Sequence, residues 1–142
     1  DLGEQPAEAI LREIGEPRLR GMLRLAGYIP NSDLPAIYNR ASAFLYTSLR
    51  ESFGIPQLEA MACGTPVVTS ATSAIPEVAG EGAILVDPTD PKAIADALLR
   101  LETDAAFRAR QVAYGLERVK RFSWEKTARH LLALYESLGK TN

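Results

Sequence analysis

Between Gly54 and Thr69 the chain is punctuated so tightly that it admits a turn, a short helix, a stop and a buried strand. Pro56 suits a helix start, where its missing N–H costs nothing and its φ is already set. Gly64 fits the left-handed position that ends a helix, and Pro66 follows where continuation would fail. Val67-Val68-Thr69 then reads as a short buried strand. The helix expected over 55–63 reads Ile-Pro-Gln-Leu-Glu-Ala-Met-Ala-Cys, with Gln57 and Glu59 as its only polar residues. A helix apolar nearly all round is expected to be buried. Ile55, Glu59 and Cys63 share one of its faces at i, i+4, i+8 spacing. A carboxylate there is costly unless something binds it, so Glu59 should meet a protein partner or a ligand hydroxyl.

The start of this helix carries a second expectation. Gly54 lets the backbone turn sharply and lets a ligand come close. The N–H groups of Ile55, Gln57 and Leu58 should point out of a helix end that is partially positive and suits a phosphate or a sugar oxygen. Glu51 lies in the loop before it, eight residues ahead of Glu59. On composition alone Glu51 reads as a solvated surface carboxylate and Phe53 as core. Glu59 reads as a carboxylate that binds a ligand, and the bland alternative is a buried acid satisfied by backbone N–H groups.

The remainder alternates helices and strands. Helices are expected over 5–14, 32–40, 75–79, 91–101 and 104–120, with Ser32 or Asp33 capping the second of these. Asp90 should cap 91–101, with Pro91 at its first position. A last helix capped by Ser123 carries the apolar stripe Leu131, Leu134, Tyr135 and Leu138. Short apolar runs at 22–26, 43–46, 66–69 and 83–86 read as strands. That order predicts a parallel sheet in an α/β domain. A chain of 142 residues should build one core.

Composition excludes several function classes. Net charge is −2 with acidic and basic residues interspersed, so no basic patch suggests nucleic acid. No apolar run approaches the ~20 residues of a transmembrane helix. A single cysteine, Cys63, fits a reducing compartment and reads as core. The single histidine, His130, should be exposed on the last helix, while Trp124 reads as a core aromatic. With no His pair, Cys cluster or paired Asp motif, no metal is expected.

Six further segments fall in one order with the Glu51–Glu59 stretch: Gly27-Tyr-Ile-Pro30, Asp33-Leu-Pro-Ala-Ile-Tyr38, Ala41 to Ser48, Ile75-Pro-Glu-Val-Ala-Gly80, Val86-Asp-Pro88 and Phe122-Ser-Trp-Glu125. Together with Glu-x7-Glu around Phe-Gly-x-Pro, they resemble the retaining glycosyltransferases of family 4, of the two-domain GT-B fold. The resemblance runs from about residue 22 to residue 138, with Ser52 where many members have glycine.

The resemblance implies a doubly wound, Rossmann-like parallel sheet: the C-terminal, donor-binding domain of such an enzyme, without its first strands. Residues 1–142 would be a part of that domain. The acceptor-binding N-terminal domain, and the basic residues that hold the diphosphate, would lie elsewhere, leaving this chain inactive alone. The implied donor is a nucleotide-diphosphate sugar, bound without a metal, and the acceptor is unnamed. Glu51 would be the catalytic residue, contacting hydroxyls of the transferred sugar, and Glu59 would accept from the ribose hydroxyls. Phe53, Gly54 and Ile55 would offer backbone N–H groups to sugar and phosphate. Tyr28 and Ile29 would read the base or merely cap a strand. Glu51 and Glu59 should face one cleft with the helix start between them. The implied location is cytoplasmic, at the membrane periphery in a full-length enzyme. Two other readings stand beside this one: a sugar-nucleotide epimerase or glycogen-synthase relative of the same fold, and a non-catalytic module binding sugar nucleotides or a protein. In a sheet of order 3-2-1-4-5-6, residues 22–26 and 43–46 would be strands 3 and 4. Without strands 1 and 2 between them, either these two should pair or a second chain should cover the gap by self-association.

Overall fold

The computed structural model describes residues 4–19 and 21–139. It comprises two compact units, Asp1–Leu34 and Pro35–Asn142. In the first, helix α1 (Glu4–Ile14) ends at Gly15, whose φ of 67° is the left-handed conformation of a helix stop. A 3₁₀ turn, Pro17–Leu19, follows. The strand expected over 22–26 does not form, and Met22 is 77% exposed. An apolar run becomes a strand only where a neighbour pairs with its backbone, and among the described residues none does so. The expected closure of 22–26 onto 43–46 falls with it.

The second unit carries the sheet. Helix α2 (Leu34–Arg40) opens it, and strands β1 (Phe44–Tyr46), β2 (Val67–Ser70) and β3 (Ala83–Val86) lie in the order β1-β2-β3, all parallel. Phe44 pairs with Val67, and Val67 in turn with Ala83. Helix α3 (Ile55–Ala62) connects β1 to β2. Helix α4 (Ile75–Ala79) and a 3₁₀ turn at Gly80–Gly82 connect β2 to β3. All four residues of β2 are buried, as in a parallel strand covered on both faces. Helices α5 (Pro91–Thr103) and α6 (Ala105–Val119) complete one face, where Val68 and Val86 pack with Ala97, Leu101 and Phe107. Burying a side chain such as Leu101 stabilises the unit by about 1.5–3 kcal/mol.

The caps follow the sequence. Asp90 accepts from the N–H groups of Lys92 and Ala93, and Asp104 from that of Phe107. Gly115 lets α6 approach α3, since a Cβ there would lie 3.1 Å from Met61 Cγ. Helix α7 (Trp124–Gly139) is capped by Ser123, whose Oγ accepts from Lys126 N–H. It buries none of its residues. Trp124 is 81% exposed, correcting its expected place in the core, and the Leu131, Leu134, Tyr135, Leu138 stripe is also exposed. Among the described residues no helix is long and apolar enough to cross a membrane.

Candidate functional site

Helix α3 begins at Gly54, which caps it with φ 85° and ψ 53° and offers no side-chain hydrogen bond. Two constraints make glycine necessary. The left-handed backbone disfavours any side chain, and a Cβ would stand 2.8 Å from Nε2 of Gln57. With Gly54 as the cap, the open amides of the first turn are those of Ile55 and Gln57, Pro56 having none. Leu58, expected among them, lies one residue beyond the open turn.

The buried polar side chain of α3 is Gln57, not Glu59. Gln57 is fully buried with Ala60 and Met61, and its Nε2 donates to the carbonyl of Phe53 at 3.4 Å. Glu59 is exposed, as is Ile55 on the same face. The helix turns its 57, 60, 61 stripe inward, so the 55, 59 side necessarily faces out. The expected buried carboxylate is thus a solvent-facing one.

Glu51 and Glu59 are nevertheless tied to one aromatic row. Tyr46 OH donates to Glu51 Oε1 at 2.5 Å, and Tyr38 OH donates to Glu59 Oε2 at 3.4 Å. Between them lies Phe44, edge to face with Tyr38 (centroids 5.2 Å apart) and stacked on Tyr46 (5.8 Å). Burial and the Glu51 carboxylate push the Tyr46 phenol up to about 12. Burial and the Glu59 carboxylate raise that of Tyr38 as well. Both phenols therefore stay protonated donors at neutral pH.

The loop that carries Glu51 is held by a run of hydroxyls leaving β2. Thr69 Oγ1 donates to the carbonyl of Tyr46 (2.8 Å), Ser70 Oγ to Ser48 (2.6 Å) and Thr72 Oγ1 to Leu49 (3.4 Å). Ser73 Oγ donates to the carbonyl of Glu51 at 2.7 Å and accepts from its N–H at 3.2 Å. Ser73 does this with φ at 59°, an uncommon conformation for a residue with a Cβ.

Phe53, expected as core, is 41% exposed and meets Phe122 edge to face. The Arg118 guanidinium lies over Phe122, 5.2 Å from the ring centroid. It also donates to the carbonyls of Val78 and Glu77 at the end of α4. Tyr28 and Ile29 belong to the first unit, where Tyr28 is 86% exposed and Ile29 half-buried. His130 is exposed and Cys63 half-buried. An open cleft of about 500 Å³ is lined by Gly80, Glu81, Gly82, Tyr114, Glu117, Arg118 and Arg121, and by none of the residues expected to hold the donor. No group of three or more His, Cys, Asp or Glu among the described residues could hold a metal ion. Sequence reasoning passed over Tyr38, Tyr46 and the 69–73 hydroxyls. The available signal was a Thr/Ser run directly after a buried strand.

The model of the family described as glycosyl transferases group 1 matches residues 3–118. The chain is 42% identical over 118 residues to O-antigen chain mannosyltransferase B of Escherichia coli, covering 83% of this chain and 31% of that protein. It is 38% identical over 133 residues to D-inositol 3-phosphate glycosyltransferase of Corynebacterium urealyticum, covering 92% of this chain and again 31% of the relative. Among solved structures, sucrose-phosphate synthase from Thermosynechococcus elongatus superimposes with a TM-score of 0.84 at 32% identity, over 97% of this chain and 35% of that one. The chain thus spans about a third of the length of these proteins.

Proposed function

Because this chain belongs to the group 1 glycosyl transferases and has the Rossmann-like sheet of a GT-B donor domain, we propose that it binds a nucleotide-diphosphate hexose for retaining transfer to an acceptor hydroxyl. The observation that carries this reading is the pairing of Glu51 and Glu59 with one aromatic row around a helix start whose amides are open. In it Glu51 is the catalytic residue, holding the sugar hydroxyls, and Glu59 holds the ribose diol, each through oxygens that can accept paired hydrogen bonds. Phe53, Gly54 and Ile55 present backbone to the sugar and phosphates. The α3 dipole offsets part of the diphosphate charge, and no metal is required.

In the reaction the bond from the anomeric carbon to the diphosphate oxygen breaks. A bond to the acceptor oxygen forms on the same face, and the acceptor's proton passes to the departing diphosphate. The protein orients the donor and stabilises the departing diphosphate. The mannosyltransferase among the relatives supports a hexose donor. A nucleotide-sugar donor fits work in the cytoplasm.

Titration of UDP, GDP and ADP, and of UDP-glucose and GDP-mannose, into the full-length protein tests the reading. One nucleotide series should bind, its sugar should be transferred or hydrolysed, and Glu59→Ala should weaken binding. Epimerised donor in place of released nucleoside diphosphate would make it an epimerase. Binding with no turnover by the full-length protein would make it a binding module, and no binding would overturn the reading.

A further inference from the structure

We propose that Tyr46 and Ser73 are positioning residues for Glu51, the phenol orienting its carboxylate and the serine hydroxyl fixing its peptide. The inference rests on Glu51 holding the transferred sugar, as proposed above. Glu51 sits beyond the end of β1, where no strand neighbour pairs with its backbone. A single hydroxyl, that of Ser73, satisfies both its N–H and its C=O. Ser73 holds both with φ at 59°, a conformation uncommon for a residue with a Cβ and one that carries a cost. The three preceding rungs, from Thr69, Ser70 and Thr72, bring the two segments into register before Ser73 closes them.

Tyr46 acts at the other end of the same residue. Its ring is fixed by stacking on Phe44, and its backbone by pairing opposite Thr69. The phenol hydrogen therefore points at Glu51 Oε1 from a rigid strand, leaving Oε2 for a ligand. With one oxygen held and the peptide clasped, the carboxylate has little rotational freedom to lose when a donor arrives.

The alternative is that both hydroxyls merely satisfy a loop. Two substitutions separate the possibilities. Ser73→Gly removes the hydroxyl but relieves the positive φ, so a merely structural serine predicts equal or greater stability and normal turnover. Tyr46→Phe keeps the stacked ring and removes only the donor.

The test uses the full-length protein and measures release of UDP from UDP-glucose and of GDP from GDP-mannose. Each variant should lose about tenfold in kcat with KM nearly unchanged, Tyr46→Phe by losing its hydrogen bond to the charged carboxylate and Ser73→Gly by losing its two to the Glu51 peptide. Their thermal midpoints should stay near that of the parent. In a Glu51→Ala background both losses should vanish, because each acts through that carboxylate. Parental kcat in both variants, or losses that persist without Glu51, would overturn the inference. If Glu51→Ala itself keeps full turnover, or neither donor is turned over, the functional reading fails instead. Hydrogen exchange then decides the clasp: Ser73→Gly should speed exchange of the Glu51 amide about tenfold or more, and unchanged exchange would refute it.

Discussion

The ring of Phe122 meets that of Phe53 edge to face, with 5.7 Å between centroids. It joins the turn after α6 to the loop that opens α3. Such a pair contributes about 0.5–1.5 kcal/mol beyond its buried area. A double-mutant cycle of Phe53→Leu and Phe122→Leu, followed by urea unfolding, should return a coupling of about that size. Additive losses would mean that the rings touch without supporting each other.

Arg118 adds side-chain donors to the C-terminal end of α4, where the N–H of Gly80 already bonds the carbonyl of Pro76. That helix has five residues, and the carbonyls of Glu77 and Val78 near its end both accept from the guanidinium. Arg118→Met keeps the stem and loses the fork, and should cost about 1–3 kcal/mol in urea unfolding. Arg118→Lys should recover only part of this, since a single ammonium cannot reproduce the planar pair.

Gly54→Ala should destabilise the second unit by about 1–3 kcal/mol, combining left-handed strain with the clash on the buried Gln57. A thermal midpoint equal to the parent's would show that the loop relaxes at little cost.

Tyr46 gives the stability curve a feature at high pH. Its folded value near 12 lies above the ordinary value of 10. Between these two the unfolded chain releases the phenol proton while the folded chain retains it. Stability from this group is therefore complete below about pH 10 and falls as pH rises toward 12. In Tyr46→Phe that part of the decline should disappear, as measured by urea midpoints between pH 8 and pH 12.

The caps and the three sheet strands were legible because each carries a local signal in sequence: Asp90 two and three residues ahead of its donors, Gly54 two residues ahead of Pro56. The strand at 22–26 was misread because hydrophobicity marks a wish to be covered and says nothing about whether a pairing partner exists. On α3, polar residues at 57 and 59 left the buried face undecided. Tertiary packing turned Gln57 inward and Glu59 out. Glu51 stood out through its spacing, yet its partners Tyr46 and Ser73 did not. A hydroxyl's partner 22 residues away is set by the path of the loop, which no local pattern encodes.

The hydroxyls of Thr69, Ser70, Thr72 and Ser73 grip main-chain oxygens and leave the side chains of the opposing loop alone. Leu49 and Arg50 are exposed on that loop. Mutation can therefore rewrite what those two positions present to a passing molecule while the scaffold beneath keeps its shape. Selection is given a surface on which new preferences can be tried without first having to rebuild the machinery.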